Sequence, residues 1–267
     1  TFAEKHQLYA GFNYSIYDYS SENLMFKAEG FSSANLSFIG NALQYAQNST
    51  PYGSESRTRR VGFTGNVNYT YDNRYYVDLS LRTDGSSQFG SKNKFAPFWS
   101  AGLGWNIHNE PFMKDQDVVN NLRLKASFGE TGSQQFSAYQ ALQTFKYFTD
   151  NKYLMWNGAS LMALGNENLK WQVTDQINLG AEVGLWNNRV TATFDYYQKW
   201  TSNLLSSMDI PGATGFTSYV ENIGEVKNTG YEAGLSVYPI QNPKRGINWM
   251  VSAKLSYNKN EITKLSD

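Results

Sequence analysis

Residues 60–84 read RVGFTGNVNYTYDNRYYVDLSLRTD. Alternate positions carry Val61, Phe63, Gly65, Val67, Tyr69 and Tyr71, and between them stand Arg60, Gly62, Thr64, Asn66, Asn68 and Thr70. A period of two places the first set on one face of a β-strand and the second set on the other. The pattern restarts with Tyr75, Val77, Leu79 and Leu81 against Tyr76, Asp78, Ser80, Arg82 and Asp84. Asp72-Asn73 between the two runs is a turn-forming pair. The stretch therefore reads as a hairpin with one apolar and one polar face.

The same pattern recurs along the chain. Leu8, Ala10, Phe12, Tyr14 and Ile16 share a face, as do Trp99, Ala101, Leu103, Trp105 and Ile107. Further apolar faces run over residues 122–128, 171–185, 190–200, 231–237 and 247–257. The nine faces hold 48 positions and one charge, Asp175, where the whole-chain charged fraction of 17% would place about eight. The opposite faces carry small polar residues and charges such as Arg123, Lys125, Glu182, Asp195, Lys199, Glu232 and Lys254. This alternation predicts an antiparallel sheet with one wet face. Residues 72–73, 187–188 (Asn-Asn) and 241–246 (QNPKRG) read as short turns. Residues 18–55, 130–170 and 206–228 read as long loops, 85–97 and 108–121 as intermediate ones, with EPFMKD in the latter suited to a short helix. One end of the sheet thus carries mostly short turns and the other long loops.

Composition removes several function classes. Lys plus Arg and Asp plus Glu are 23 each among 267 residues, so the net charge is zero. A general electrostatic grip on nucleic acid needs an excess of Lys and Arg. The absence of cysteine excludes disulfides, thiolate metal sites and cysteine nucleophiles. The two histidines, His6 and His108, are too few for a multi-histidine metal site and read as lumen-wall or turn residues. The opening TFAEKHQLY lacks the apolar run of a signal peptide. No stretch approaches the roughly 18 apolar residues of a membrane helix. The mean hydropathy of −0.54 does not argue for a soluble protein, because a membrane β-barrel alternates lipid-facing and lumen-facing residues.

Alternation alone leaves two architectures open on equal terms, a soluble β-sandwich such as a carbohydrate-binding module and an antiparallel transmembrane β-barrel. Three features favour the barrel. The runs at 171–185 and 190–200 are about as long as, or longer than, the roughly 9–11 residues that cross a bilayer, against the usual 5–6 of globular strands. Aromatics gather at strand ends, with Tyr69, Tyr71 and Tyr75 at one tight turn and Trp171, Tyr196 and Trp200 toward the long loops, as interface girdles do. The polar faces are rich in small residues, among them Gly62, Gly102, Gly104, Gly180 and Gly234, as a filled lumen requires. Asp175 stands near the long-loop end, where a charge costs only about 0–1 kcal/mol.

Several long motifs, in order, carry a family resemblance. Residues 68–105 contain NYTYDNRYYVDLSLRTDGSSQFGSKNKFAPFWSAGLGW, followed by NEPFMKD and by NLRLKASFGETGS at 121–133. Residues 165–205 read GNENLKWQVTDQINLGAEVGLWNNRVTATFDYYQKWTSNLL, and 221–235 read ENIGEVKNTGYEAGL. These resemble the barrel signature of SusC/RagA-family TonB-dependent transporters over residues 31–265, with Gln88 where Arg is usual and Ser133 where Asn is usual. The resemblance implies a bacterial outer-membrane barrel of about 22 strands, a plug, a segment that contacts the TonB complex, and a SusD-like surface lipoprotein as lid. It implies TonB-driven import of an oligosaccharide or a peptide. On this reading residues 1–267 are nine strands of one larger barrel domain, with the plug and the terminal strands outside them. Lipid, the lipoprotein, TonB and the substrate are the expected partners.

Catalytic motifs are missing. There is no G-x-S-x-G, P-loop, H-E-x-x-H or EF-hand loop. Asp115-Gln116-Asp117 lacks the glycine and closing glutamate of a calcium loop and reads as a solvated turn. Carboxylates on the polar faces alternate with Arg82, Arg123 and Lys199, as in a charge-balanced wall. A non-enzyme without cofactor or metal is expected. The candidate ligand or lid contacts are the aromatics of the longest loop: Phe136, Tyr139, Phe145, Tyr147, Phe148, Tyr153 and Trp156. Aromatic rings of this kind stack on sugars, pack on one another or dock on the lid.

Overall fold

A computed structural model describes residues 4–90, 92–133, 137–242 and 246–265. In chain order the strands are β1 (His6–Met25), β2 (Ala28–Glu29), β3 (Gln44–Tyr45), β4 (Tyr52–Tyr71), β5 (Tyr75–Ser86), β6 (Phe95–Asn106) and β7 (Val119–Ser133). They continue with β8 (Thr144–Tyr153), β9 (Trp156–Ala163), β10 (Gln172–Leu185), β11 (Val190–Asp209), β12 (Ser218–Asn242) and β13 (Ile247–Lys264). Nine of them form one antiparallel meander in the order β1-β4-β5-β6-β7-β10-β11-β12-β13. The pairs β2-β3 and β8-β9 are small separate ladders inside the connections from β1 to β4 and from β7 to β10. This is one all-β antiparallel sheet, as the alternation predicts, and its unclosed run of neighbouring strands is that of a barrel segment.

The faces follow from register. Ala10, Val67, Leu79, Ala101, Phe128 and Ile177 lie opposite one another across six strands. A slip of one residue anywhere would mix apolar and polar sides. No second sheet covers the apolar face among the described residues, and Phe12, Ile16, Leu103 and Leu255 on it are 59–75% exposed. A sandwich needs that face buried against a partner sheet, so the sandwich alternative fails. In a bilayer the same face meets hydrocarbon, and every backbone group within the sheet is satisfied by its neighbour.

The strands are longer than the sequence suggests. β1, β4 and β11 have 20 residues and β12 has 25. Twenty residues extend about 66 Å at about 3.3 Å each, so even a strongly tilted strand outruns a hydrocarbon core of about 30 Å. The surplus lies at the long-loop end. Residues 206–228, expected as a loop, are the far ends of β11 and β12, joined over residues 210–217 by a turn containing a 3-10 helix at Gly212–Thr214. The loop at 130–170 contains the β8-β9 hairpin. Polar residues there break the apolar alternation, while the backbone ladder continues regardless. Pro97 sits where β6 pairs with β5 only, and Pro239 lies in the irregularity between Val237 and Ile240. Both are places that need no further N–H donor.

The short-turn end agrees with expectation in part. Asp72 and Asn73 both have positive φ, 50° and 53°, and the Arg74 N–H bonds to the Tyr71 carbonyl, the geometry that twists with the strands. Asn187-Asn188 is not a two-residue turn: Trp186 also has positive φ and the link covers residues 186–189. Residues 243–245 of the QNPKRG turn lie outside the described residues. Ile107, expected to end β6, belongs to a 3-10 turn with His108, and Pro111–Met113 forms a second, the short helix expected in EPFMKD. His6 opens β1 beside the aromatic rings of Tyr69 and Tyr71, its Nδ1 2.7 Å from the Tyr69 hydroxyl. Glu110 holds this end together. Its buried carboxylate accepts from Arg74 Nη1 at 3.0 Å, the Tyr75 hydroxyl at 2.6 Å and Trp105 Nε1 at 2.9 Å.

Candidate functional site at the polar wall and the long-loop end

Small residues on the polar face make room for the long side chains of the next strand. A Cβ on Gly104 would lie 1.6 Å from the Tyr76 ring, and one on Gly180 2.2 Å from the Lys125 stem. Tyr76 faces Gly104 and Lys125 faces Gly180 in the ladder, so each long side chain lies flat over its glycine. Lys125 then reaches Glu182 and Asp195, both at 3.2 Å, while Arg123 stands 3.9 Å from Glu182. Asn68 donates to Asp78 at 2.5 Å, and Asn178 donates to Ser127 at 3.2 Å. The result is a concave, charge-paired wall enclosing about 640 Å³. Glu182 and Asp195 are committed to Lys125, and Asp78 accepts from Asn68, the arrangement of a wall that holds water or a plug.

Nearer the long loops the wall changes character. Three cross-strand rows follow one another on the same face: Tyr17–Arg60–Ser86, Ser15–Gly62–Asp84–Ala96, and Asn13–Thr64–Arg82–Phe98. They border a second concavity of about 780 Å³, closed on its far side by Trp171 and residues of β7. Trp171 corrects the sequence reading. It precedes β10 rather than opening it, and it is 5% exposed, so it is not a lipid-facing girdle residue. It stacks on Phe89 at 4.3 Å between centroids and meets Phe98 edge-on at 5.7 Å. Tyr196 likewise lies well inside β11, not at its end. Trp200 stays on the apolar face, opposite Asp175.

Two family-like motifs therefore meet in space. DGSSQFG supplies Phe89 and Gly90, and GNENLKW supplies Asn166, Leu169 and Trp171. A Cβ on Gly90 would collide with the Glu167 carbonyl at 1.7 Å, so the two backbones are in direct contact and only glycine fits. Asn93 donates to the Asn168 carbonyl, and Asn166 donates to the Val220 carbonyl of β12. Asn222 accepts from the Lys170 N–H and donates back to the Lys170 carbonyl. Leu169 is wholly buried. With the aromatic cluster this is the main apolar core among the described residues, and it lies outside the membrane belt. Sequence reasoning missed Asn166, Leu169 and Asn222 as a set. The motif order was the only signal, because the contacts join segments about 50 to 75 residues apart.

The predicted loop aromatics do not converge on one point. Phe136 lies outside the described residues. Tyr139 accepts a hydrogen bond from the Arg57 N–H at 3.0 Å and so ties its loop to β4. Phe145 and Tyr147 stand opposite Leu161 and Ala159 in the β8-β9 ladder, while Phe148 is half-buried. Tyr153 and Trp156 pair at the hairpin tip, flanking Leu154 and Met155. All four tip side chains are at least 76% exposed. The hairpin presents these rings outward, and the wall's own aromatic layer is built from Phe89, Phe98 and Trp171 instead.

Comparisons with known proteins give a consistent result. The family model described as "TonB dependent receptor-like, beta-barrel" matches residues 1–267. The chain is 35% identical over 247 residues to TonB-dependent receptor P3 of Formosa agariphila, covering 90% of this chain and 24% of that protein. It is 36% identical over 221 residues to TonB-dependent receptor SusC of Bacteroides thetaiotaomicron, covering 79% and 21%. Among solved structures, the RagAB peptide transporter superimposes with a TM-score of 0.86 at 32% identity, over all of this chain and 29% of that one. The siderophore receptor PiuA of Acinetobacter baumannii shares the fold at 14% identity, with a TM-score of 0.57 over 98% of this chain and 36% of that one. The chain spans about a quarter of the length of the curated relatives it matches.

Proposed function

This chain belongs to the TonB-dependent receptor-like β-barrel family of the bacterial outer membrane, and from that premise we propose that it is part of a transporter that imports a nutrient oligomer under TonB drive. Its relatives are receptors and transporters, not enzymes. We place residues 1–267 as nine strands of one larger barrel, whose plug and remaining strands belong to other parts of the full-length protein. A SusD-like surface lipoprotein acts as its lid, and an oligosaccharide is its cargo. The observation that carries the reading is the concave polar wall, rimmed by aromatics at the long-loop end and backed by an uncovered apolar face. Such a wall captures a ligand from the outside and has no arrangement for chemistry on it. Peptide cargo is the second reading, favoured by the likeness to a peptide transporter over the whole chain.

The test is deletion of the full-length gene, followed by growth on defined oligosaccharides and on peptides as sole nutrient. Loss of growth on one class, reproduced by removing TonB, supports import and names the class. Unchanged growth and uptake on every substrate would overturn the proposal. Affinity purification of the full-length protein tests the lid, since a surface lipoprotein should be recovered with it in comparable amount.

A further inference from the structure

We propose that the cradle floored by Gly62 is a subsite for a carboxylate-bearing unit of the ligand, with the Arg60 guanidinium as the group that receives the charge. The proposal rests on the transport reading above and specifies the chemistry of that wall. Gly62 is buried in the middle of the three rows. A Cβ built on it would lie 2.6 Å from Asp84 Oδ1, 2.9 Å from Ser15 Oγ and 3.2 Å from Arg82 Nη2. Polar tips from the two flanking strands, β1 and β5, thus converge directly over one bare stretch of backbone, and any side chain at position 62 would push them out of place.

The charges in the cradle are unequal. Arg82 donates through Nε to Asp84 at 2.5 Å, so those two largely neutralise one another. Arg60 is exposed and has no carboxylate within ion-pair distance among the described residues. Its guanidinium lies 4.3 Å over the Tyr17 ring, which orients the fork and leaves its N–H groups to a ligand. Glu130, the other carboxylate bordering the concavity, comes from β7 and forms no ion pair with either arginine. One guanidinium in a fixed plane is suited to a bidentate carboxylate. A phosphate dianion would be held against Asp84 and is disfavoured. Asp84 Oδ1 and Ser15 Oγ then accept from hydroxyl or amide donors on the body of the same unit. The concavity of about 780 Å³ suits one or two units of an oligomer, within the usual range of ligand sites.

A uronate sugar and an acidic peptide share this chemistry, and the experiment separates them. Full-length protein with its lid lipoprotein, purified in detergent, is titrated calorimetrically with tetragalacturonate and with tetraglutamate. Maltotetraose and tetraglutamine serve as neutral counterparts. One acidic probe should bind more tightly than its neutral counterpart, and Arg60→Gln should weaken it about tenfold, the loss expected for one charged hydrogen-bonding group. Arg60→Gln should leave the neutral counterpart unchanged. Gly62→Val should abolish binding of the acidic probe by displacing Asp84, Ser15 and Arg82 from their places. Arg60→Gln alone decides the matter should Gly62→Val fail to assemble, because the Arg60 side chain is exposed and outside any ion pair. Equal binding of acidic and neutral probes, no binding of either acid, or an Arg60→Gln protein that binds like wild type would overturn the subsite. Nutrient import by the Arg60→Gln variant equal to that of the wild type would remove the subsite and leave the transport reading standing. Absence of import by the wild type would remove that reading itself.

Discussion

Glu110 shows what single side chains do in this protein. Its carboxylate accepts three hydrogen bonds at the short-turn end, from Tyr75, Trp105 and Arg74, and these donors hold its pKa below the usual 4.5. A carboxylate with a depressed folded-state pKa contributes stability that is complete above its unfolded value and is lost as pH falls through its folded value. We expect the folded barrel's electrophoretic mobility to survive heating equally between pH 7 and 5, and less heating to suffice once the pH drops below 4.5. Glu110→Ala should lower the required temperature at neutral pH and flatten that acid dependence; an unchanged acid dependence would remove Glu110 as its source. At the other end, Trp171→Ala removes the ring that joins Phe89 to Phe98. Truncating a buried Trp costs about 3–5 kcal/mol, here charged to the docking of residues 164–171. Limited proteolysis of the otherwise folded barrel should then cut within that segment, and resistance equal to wild type would contradict the clamp. Neither role could be read from sequence. Trp171 keeps the alternation of β10, and only its position beyond the strand end turns it inward.

At the scale of elements, the strands and the loops obey different rules. Alternation located all nine sheet strands, because register makes every second side chain share one solvent. It misjudged their ends, because beyond the membrane belt both faces are wet and the pattern disappears while the ladder continues. The β8-β9 hairpin is the element to remove. Deleting residues 144–163 should abolish uptake or recovery of the lid lipoprotein and still leave a heat-modifiable barrel, since loops on a rigid scaffold carry binding. Normal uptake with normal lid recovery would show the hairpin to be passive. The deletion must stop before Asn166, whose bond to the Val220 carbonyl and neighbour Leu169 belong to the core. Extending it through residue 171 should cost assembly as well as binding.

For the whole molecule, the decisive property is which face meets which solvent. Residues 1–267 contain no cysteine, so single substitutions here, in a full-length protein with any other cysteines replaced, can report accessibility to a water-soluble thiol reagent in intact outer membranes. Cysteines replacing Arg60, Asn66, Arg82, Arg123, Glu182, Asp195 and Lys254 should react, and those replacing Val67, Leu79, Leu103, Leu179, Phe194 and Val251 should not. The reverse pattern would invert the sheet. Residues 1–267 produced alone should not give a soluble monomer, because β1 and β13 expose unpaired edges and the apolar face has no covering layer. A monodisperse soluble species that unfolds cooperatively would contradict the membrane assignment. The sequence by itself determined the strand faces, the alternation of short and long connections, and the family, because each of these is written in local period or in ordered motifs. Only the tertiary structure decided that Trp171 and Phe89 form a core above the membrane, and that Gly62 lies among Ser15, Asp84 and Arg82. It also decided that Tyr139 is tied to β4 while Tyr153 and Trp156 stand exposed at the tip of the β8-β9 hairpin. These are contacts between residues distant in the chain, and the ladder's register and the docking of its outer segments bring them together.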